Sequence, residues 1–179
     1  MNVRIVRRAG AAAAAVSLLA VAGCSGGREY AVPEKFCGVR MPSEAVEPLL
    51  PDGAELHRSR QPLDGTATSC GMNVVDGPAV VDVTVTELDK PLTADDKRVS
   101  LKSLEHAKSV RVAGTHWAVQ GDRRIQLSAP CGADWADSLS FRFSFTEGGE
   151  GAEPTRRNTL RFAAAFVRGE KKAEVCTAK

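Results

Sequence analysis

The chain has 179 residues, enough for one domain of ordinary size beside a short N-terminal segment. Its 24 Lys and Arg residues nearly balance its 22 Asp and Glu residues, and three of the basic residues but none of the acidic ones precede Cys24. Beyond Cys24 the positive excess is gone, which removes the composition-based argument for a nucleic acid or an anionic membrane surface as a partner.

The N-terminal segment has the pattern of a bacterial lipoprotein signal. Three arginines among the first eight residues precede an Ala-rich apolar run over 9–22, which leads through Val21-Ala22-Gly23 to Cys24. The polar stretch Ser25-Gly26-Gly27 follows directly. This order predicts cleavage before Cys24, acylation of its thiol and anchoring of the chain at the outer face of the cell membrane.

Two other interpretations of this segment were weighed. A transmembrane anchor is disfavoured because the apolar run is shorter than the roughly 20 residues that a spanning helix needs. Cleavage with free secretion also fits the small residues, but a cysteine followed by a polar tether favours lipidation. We therefore expect a signal peptide, a lipid-anchored flexible linker and a single extracytoplasmic domain, over 1–23, 24–33 and 34–179.

Four cysteines follow Cys24 in the chain. An even number in an exported domain predicts two disulfides, for which three pairings exist. We favour Cys37–Cys70 and Cys131–Cys176, because each pair then flanks one continuous helix-and-strand unit. A zinc site is disfavoured because no C-x-x-C pair occurs, and we expect neither a metal nor a cofactor.

The first half of the domain is predicted to contain a short helix followed by strands. Ser43 can cap a helix that Pro51-Asp52-Gly53 closes as a turn. The segment 54–66 is predicted to be a loop or an edge strand. The β-branched runs 68–75 and 79–88, joined by Asp-Gly-Pro, predict a hairpin.

The second half continues this mixture. A helix is predicted over 93–109 from the Thr93 cap and the i, i+3 apolar spacing, followed by a hairpin that pairs 117–119 with 124–127. Residues 139–145 alternate apolar and polar, as in a half-buried strand, and a last amphipathic helix begins near Thr155. The sequence therefore predicts an α+β fold with a single, mostly antiparallel sheet and helices packed on it.

The lipobox is followed by Cys37-Gly38 before a short helix ending in Leu49-Leu50-Pro51, and by Cys70 inside the next strand. Further along the chain stand Trp117-Ala118-Val119, Ser128-Ala129-Pro130-Cys131 and an Ala-rich helix that leads to Cys176. In these features the sequence resembles small actinobacterial secreted lipoproteins of unknown function. The resemblance implies a disulfide-bonded α+β domain, and some similar lipoproteins have a PsbP-like sandwich fold, but it implies no active site.

No motif of a known catalytic class is present in the sequence. There is no G-x-S-x-G elbow and no H-E-x-x-H zinc motif. The three histidines, His57, His106 and His116, are interpreted as ordinary loop, helix and strand-start residues. An enzyme would require one of them to meet a carboxylate in a cleft, so an envelope hydrolase is the third and least favoured function.

The remaining candidates are acidic and aromatic. Asp95-Asp96 is interpreted as the acidic first turn of a helix. Trp135, between Asp134 and Asp137, and Trp117 are possible interaction residues, since loop aromatics often anchor interfaces.

The leading hypothesis is a non-catalytic, membrane-anchored module that binds an envelope protein, with no role for nucleic acid. The alternative is a small-ligand or lipid carrier with a pocket between sheet and helices. A closed apolar cavity near Phe141, Phe143 and Phe166 would favour the carrier.

Overall fold

The computed structural model describes residues 27–75, 77, 79–134, 136–172 and 176. The predicted signal peptide, Cys24 and Trp135 lie outside the described residues. The helices and strands in chain order are β1 (Lys35–Phe36), β2 (Val39–Arg40), α1 (Ser43–Val46) with a 3-10 turn (Glu47–Leu49), β3 (Leu56–Pro62), β4 (Ala67–Val74), β5 (Ala79–Leu88), α2 (Ala94–Ser103), β6 (Lys108–Val110), β7 (Trp117–Gln120), β8 (Arg124–Ala133), β9 (Ala136–Phe145) and α3 (Arg156–Glu170).

Seven of these strands form one antiparallel sheet in the order β3-β4-β5-β9-β8-β7-β6. In its centre Val83 lies opposite Phe143 and Val85 opposite Phe141. Because side chains alternate along a strand, the register puts the apolar residues of β5 and β9 on one face and their polar neighbours on the other. This confirms the predicted α+β fold with a mostly antiparallel sheet; β1 and β2 form a separate two-stranded ribbon.

The core lies between the apolar sheet face and α3. The Thr155 hydroxyl caps α3 by accepting the backbone N–H of Asn158 at 3.3 Å. The helix then buries Phe162 and Phe166, whose rings meet Phe143 edge-on with centroids 6.4 and 5.8 Å apart. Each such edge-to-face pair contributes about 0.5–1.5 kcal/mol beyond its buried area.

Two layers result from this packing. Helix α1, its 3-10 turn and β2 contact α3 on the apolar side of the sheet; we call α1, α3 and the β1–β2 ribbon the helical layer. The opposite, polar side of the sheet is the open face, and α2 covers only the part of it near β7.

Both favoured disulfides are confirmed. Cys37 is bonded to Cys70 with the Cα atoms 5.7 Å apart, which ties the N-terminal ribbon to the centre of β4. Cys131 is bonded to Cys176 with the Cα atoms 4.8 Å apart, which ties the C-terminal end of β8 to the end of the chain.

The predicted helix over 93–109 is shorter in the structure. It ends at Ser103, and Lys108–Val110 forms the edge strand β6 against β7. The reason is tertiary packing: Leu104 leaves helical geometry, with φ −92° and ψ 140°, and is buried in a small cluster with Trp117. The segment 54–66, left open between loop and edge strand, contains the edge strand β3.

Strand β8 also runs further than predicted. The predicted hairpin pairs only residues 124–127 of this strand, but the strand continues through a register shift to Ala133, which pairs with Ala136. Gly132 has φ +75°, a conformation that glycine adopts without a steric penalty. Strands β8 and β9 thus form a tight hairpin beside the Cys131–Cys176 disulfide.

The predicted flexible linker over 24–33 is packed against the domain in its described part. Arg28 donates to the backbone carbonyl of Leu50 at 2.8 Å and pairs with Gly53 as an isolated bridge. The backbone N–H of Glu29 donates to the Gly53 carbonyl at 2.9 Å. The chain therefore joins the folded domain at Arg28, earlier than the predicted boundary at residue 34, because these backbone groups find partners there.

Candidate functional site

The open face of the sheet offers polar side chains in a regular array. Thr84 and Thr86 of β5 pair with Arg142 and Ser140 of β9, and Gln126 of β8 pairs with Arg142 on its other side. All five side chains point away from the Phe-rich core because they alternate with it along the strands.

A groove lies between α2 and this open face. Its volume is about 330 Å³, at the lower end of the range for small-molecule sites, which is about 300–1,000 Å³. The residues that line it are Thr86, Leu88, Leu92, Asp96, Val99, Ser100, Ser103, Trp117, Gln126, Ser140, Phe141 and Arg142. We call it the α2 groove.

A capping box fixes the helix that forms one wall of the α2 groove. The Thr93 hydroxyl accepts the backbone N–H of Asp95 and of Asp96 at 3.2 and 3.4 Å, and the Asp96 carboxylate accepts the backbone N–H of Thr93 at 2.7 Å. The hydrogen bonds that the Thr93 backbone N–H and hydroxyl donate to the Asp96 carboxylate lower the pKa of this carboxyl. Asp96 therefore stays ionised at the rim of the groove while it holds the start of the helix.

Trp117, singled out from the sequence as a possible interaction residue, lies in the wall of the α2 groove. Its side chain is largely buried, with 9 % of the residue exposed, and it packs with Leu104 and Val119. The indole N–H donates to the Leu92 carbonyl at 3.3 Å. Trp117 therefore forms part of the buried wall of the groove and does not project from the surface.

Two side chains at the α2 groove are free to meet a ligand. Val99 of α2 is 64 % exposed, the largest value among the exposed large apolar side chains of the described residues, ahead of Leu63 at 42 % and Val75 at 41 %. Arg142 is exposed and has no ion-pair partner within the described ranges. The groove can thus combine an apolar contact with a charge-assisted hydrogen bond to a carboxylate.

The structure brings one of the three histidines to a carboxylate. His106 lies in the turn after α2, with φ +45°, and not on the polar side of a helix as the sequence indicated. Its Nδ1 is 2.6 Å from Oδ2 of Asp122, and Arg156 donates to Oδ1 of the same carboxylate at 2.5 Å. His57, on β3, and His116, before β7, are exposed and have no recorded side-chain partner among the described residues.

Hydrogen bonds and charges in this turn shift the pKa values of Asp122 and His106 in opposite directions. The hydrogen bond from His106 and then the one from Arg156 lower the pKa of Asp122. The same bond to Asp122, helped by the charge of Asp122 and of Glu105, raises the pKa of His106. The three side chains are exposed or half-buried, so water weakens each of these interactions.

Glu105, His106 and Asp122 are also the residues that could approach a metal ion together. Their ligand atoms lie within 4.8 Å of one another. However, both oxygens of Asp122 already accept hydrogen bonds, and the Arg156 guanidinium places a positive charge beside the position that a cation would take. No local pattern in the sequence predicts this meeting, because Glu105-His106, Asp122 and Arg156 come from three separate segments of the chain.

The region proposed for a carrier cavity is filled by its own side chains. Phe141, Phe143 and Phe166 are wholly buried, and their rings contact one another at centroid distances of 5.8 to 6.3 Å. Asp134 and Asp137 are exposed on the β8–β9 hairpin. Asp95 pairs with Arg98 at 2.8 Å, as expected for the acidic first turn of a helix.

Comparison with protein-family models, with curated proteins and with solved structures gave no match for this chain. The resemblance to small actinobacterial lipoproteins therefore stays a prediction from the sequence. Within the described residues, no helix has both the length and the apolar character needed to cross a bilayer.

Proposed function

We propose that this protein is a non-catalytic module that is anchored by acylated Cys24 to the outer face of the cell membrane and binds an envelope protein through the α2 groove. The observation that carries this function is that one groove combines an exposed Val99 with Arg142, which has no ion-pair partner among the described residues. Apolar contacts flanked by a charged anchor are typical of interface centres.

The position of the groove relative to the anchor supports this proposal. The chain joins the domain at Arg28 through Leu50 and Gly53, next to the helical layer. The α2 groove lies on the other side of the sheet. A partner that approaches the groove therefore does not have to displace the tether.

The interaction is tested by site-specific photo-crosslinking in the native host. A photoreactive residue at Val99 should give one defined adduct, and Arg142→Glu in the same chain should abolish it by reversing the charge of the anchor. A photoreactive residue at Val75, which is also exposed but lies at the end of β4 far from the groove, is the matched control. Equal labelling from both positions would reject the groove as the interface.

The anchor is tested separately by the mass of the protein purified from membranes. Acylation predicts a mature chain that begins at Cys24 and carries the added mass of its acyl chains. The Cys24→Ser chain should appear in the soluble fraction. An unprocessed chain, or one without acyl mass, would reject the anchoring part of the proposal.

A small-ligand carrier is the second candidate function, because the groove volume of about 330 Å³ is sufficient for a small amphipathic molecule. Native mass spectrometry of the Cys24→Ser chain distinguishes the two functions. Extra mass that disappears on denaturation, and that is lost with Arg142→Glu, would favour the carrier.

The envelope hydrolase is favoured by one observation, the contact of His106 with Asp122 beside a depression of about 400 Å³. Within the described residues the His106 ring bonds no hydroxyl or thiol that it could activate. Hydrolysis of a chromogenic ester that is lost with His106→Ala would replace the proposed function with this one.

A further inference from the structure

Helix α3 presents a basic face to solvent. At about 100° per residue, Arg157, Arg161 and Arg168 fall on the side opposite the buried Phe162 and Phe166, and all three arginines are exposed. None of the three has an ion-pair partner among the residues that the structure describes. Their charge is therefore available to a partner.

A depression adjoins the C-terminal half of this helix. It measures about 470 Å³ and lies between α3 and the segment that leads from β2 into α1. Arg40, Arg168 and Lys172 line it together with apolar groups such as Ala165. A Cβ atom on Gly169 would lie 2.2 Å from a methyl group of Val39, so glycine is what allows the helix to approach β2 closely enough to bring the cations together.

These cations lie in the layer of the molecule that the described chain joins at Arg28. The chain emerges at Arg28, which bonds Leu50 just after the 3-10 turn, and α1 packs against α3. The four residue steps from Cys24 to Arg28 span at most about 14 Å in any conformation. An acylated Cys24 would therefore keep the helical layer close to the lipid headgroups.

We propose that Arg40, Arg157, Arg161, Arg168 and Lys172, called the basic face, form a second membrane contact that binds the phosphate groups of anionic lipids. The arginines of α3 extend along about 16 Å of helix, from Arg157 to Arg168, which suits an extended anionic surface better than one small anion. Glu44 of α1 borders the basic face, and Arg161 donates to the Glu44 backbone carbonyl at 3.3 Å rather than to its carboxylate.

The lipid anchor and the basic face together determine how the domain is oriented on the membrane. One lipid anchor with a nearby basic patch is a stable two-signal arrangement for membrane attachment. With the helical layer toward the lipid, the open face and the α2 groove point away from it. The orientation rests on the anchor in the proposed function, whereas lipid binding by the basic face does not require acylation.

The test uses the mature chain with Cys24→Ser, which carries no acyl chain, in co-sedimentation with vesicles. We expect binding to phosphatidylcholine vesicles that contain phosphatidylglycerol and none to phosphatidylcholine alone. Each cation near an anionic surface strengthens binding by about fivefold. The variant Arg40→Gln/Arg168→Gln/Lys172→Gln should therefore bind on the order of 100-fold more weakly.

The matched control removes the same charge from the other side of the sheet, with Arg98→Gln/Lys102→Gln/Arg124→Gln. These residues are exposed on α2 and β8, and the control should lose far less binding than the test variant. Binding that does not depend on phosphatidylglycerol, or equal loss in both variants, would overturn the proposal. Displacement by millimolar inorganic phosphate would overturn it in favour of a free-anion site.

The outcomes separate this proposal from the proposed function. Acylation of Cys24 and crosslinking at Val99 are measured without reference to phosphatidylglycerol. Loss of vesicle binding by the Cys24→Ser chain, with acylation of the native chain intact, would reject the basic face alone. Vesicle binding by the Cys24→Ser chain, with a native chain that is purified without acyl mass, would reject the anchor alone. Matching circular dichroism spectra confirm that both triple variants are folded.

Discussion

Glu170 is an acidic residue at the end of α3 that the fold partly buries. Burial raises the pKa of its carboxyl, the charge of Glu87 raises it further, and the charge of Arg60 works in the opposite direction. A carboxyl whose pKa is higher in the folded state than in the unfolded state binds its proton more tightly in the folded state. Stability therefore falls as the pH rises from the ordinary value near 4.5 through the raised value.

We expect Glu170→Gln to raise the unfolding temperature at neutral pH, because glutamine needs no charge in this half-buried position. The gain should disappear below the ordinary carboxyl pKa, where Glu170 is protonated in both states. Thermal unfolding across that pH range is the measurement. The control is Glu153→Gln, at an exposed position, which should change the free energy of unfolding by no more than about 0.5 kcal/mol. A Glu170→Gln variant that is less stable than the wild type at neutral pH would contradict the prediction.

His106 gives a second prediction at the level of single residues. Its raised pKa means that the charged contact with Asp122 is fully present below the ordinary histidine pKa of 6.5 and is lost as the pH rises through the raised value. Asp122→Asn should shift the His106 titration toward lower pH, because the hydrogen-bonding carboxylate is gone. An NMR titration of the imidazole measures this. An unmoved midpoint, or the same shift in the distant control Asp134→Asn, would refute it.

Helix α2 depends on its start at Thr93, because the helix is short and packs near its end through Leu101 and the following Leu104 rather than through a continuous apolar stripe. We expect Thr93→Ala to cost about 1 kcal/mol, the usual value of such a cap. Urea denaturation measures the loss, and Thr93→Ser should restore most of it because serine keeps the accepting hydroxyl. Equal stability of the alanine and serine variants would show that the cap contributes nothing.

The sequence predicted the elements whose signal is local. The alternation over 139–145 and the β-branched hairpin over 68–88 correspond to β9, β4 and β5, because a two-residue period is visible in any half-buried strand. The end of α2 was predicted wrongly because it depends on a contact with Trp117, far along the chain. Strand β6 could not be predicted because only pairing with β7 makes it a strand.

Candidate sites were less predictable than elements. Nothing local indicates that Thr86, Gln126 and Val99 line one groove, because they come from two strands and a helix. The basic side of α3 was readable in part, since Arg157 and Arg161 are four residues apart, as are Arg168 and Lys172. The near-zero net charge of the chain does not reveal this basic side, because a sum over all residues does not show how the charges are distributed over the surface of the fold.

At the scale of the whole molecule, the two disulfides connect parts that the sheet alone does not. Cys131–Cys176 joins positions 45 residues apart and fixes the described end of the chain to β8. Cys37–Cys70 joins the N-terminal ribbon to β4 across 33 residues. The N-terminal ribbon and Cys176 are thereby both linked to the sheet.

We expect Cys131→Ser/Cys176→Ser to lower the free energy of unfolding by about 2–5 kcal/mol, since the unfolded chain regains the entropy of a long loop. Chemical denaturation of the oxidised wild type and of the variant measures this. The comparison is controlled by the reduced wild type, which should lose more because it also lacks the other bridge. A variant as stable as the oxidised wild type would contradict the expectation.

Strand β3 is an edge of the sheet, and six of its seven residues are exposed. On a membrane, copies of this protein would diffuse in two dimensions, where collisions between neighbouring edges are frequent. Arg58 and Arg60 give each edge two like charges and Pro62 terminates it, features that oppose strand-to-strand pairing between copies. The opposite edge, β6, is only three residues long. Both edges of the sheet therefore disfavour pairing with the sheet of another copy.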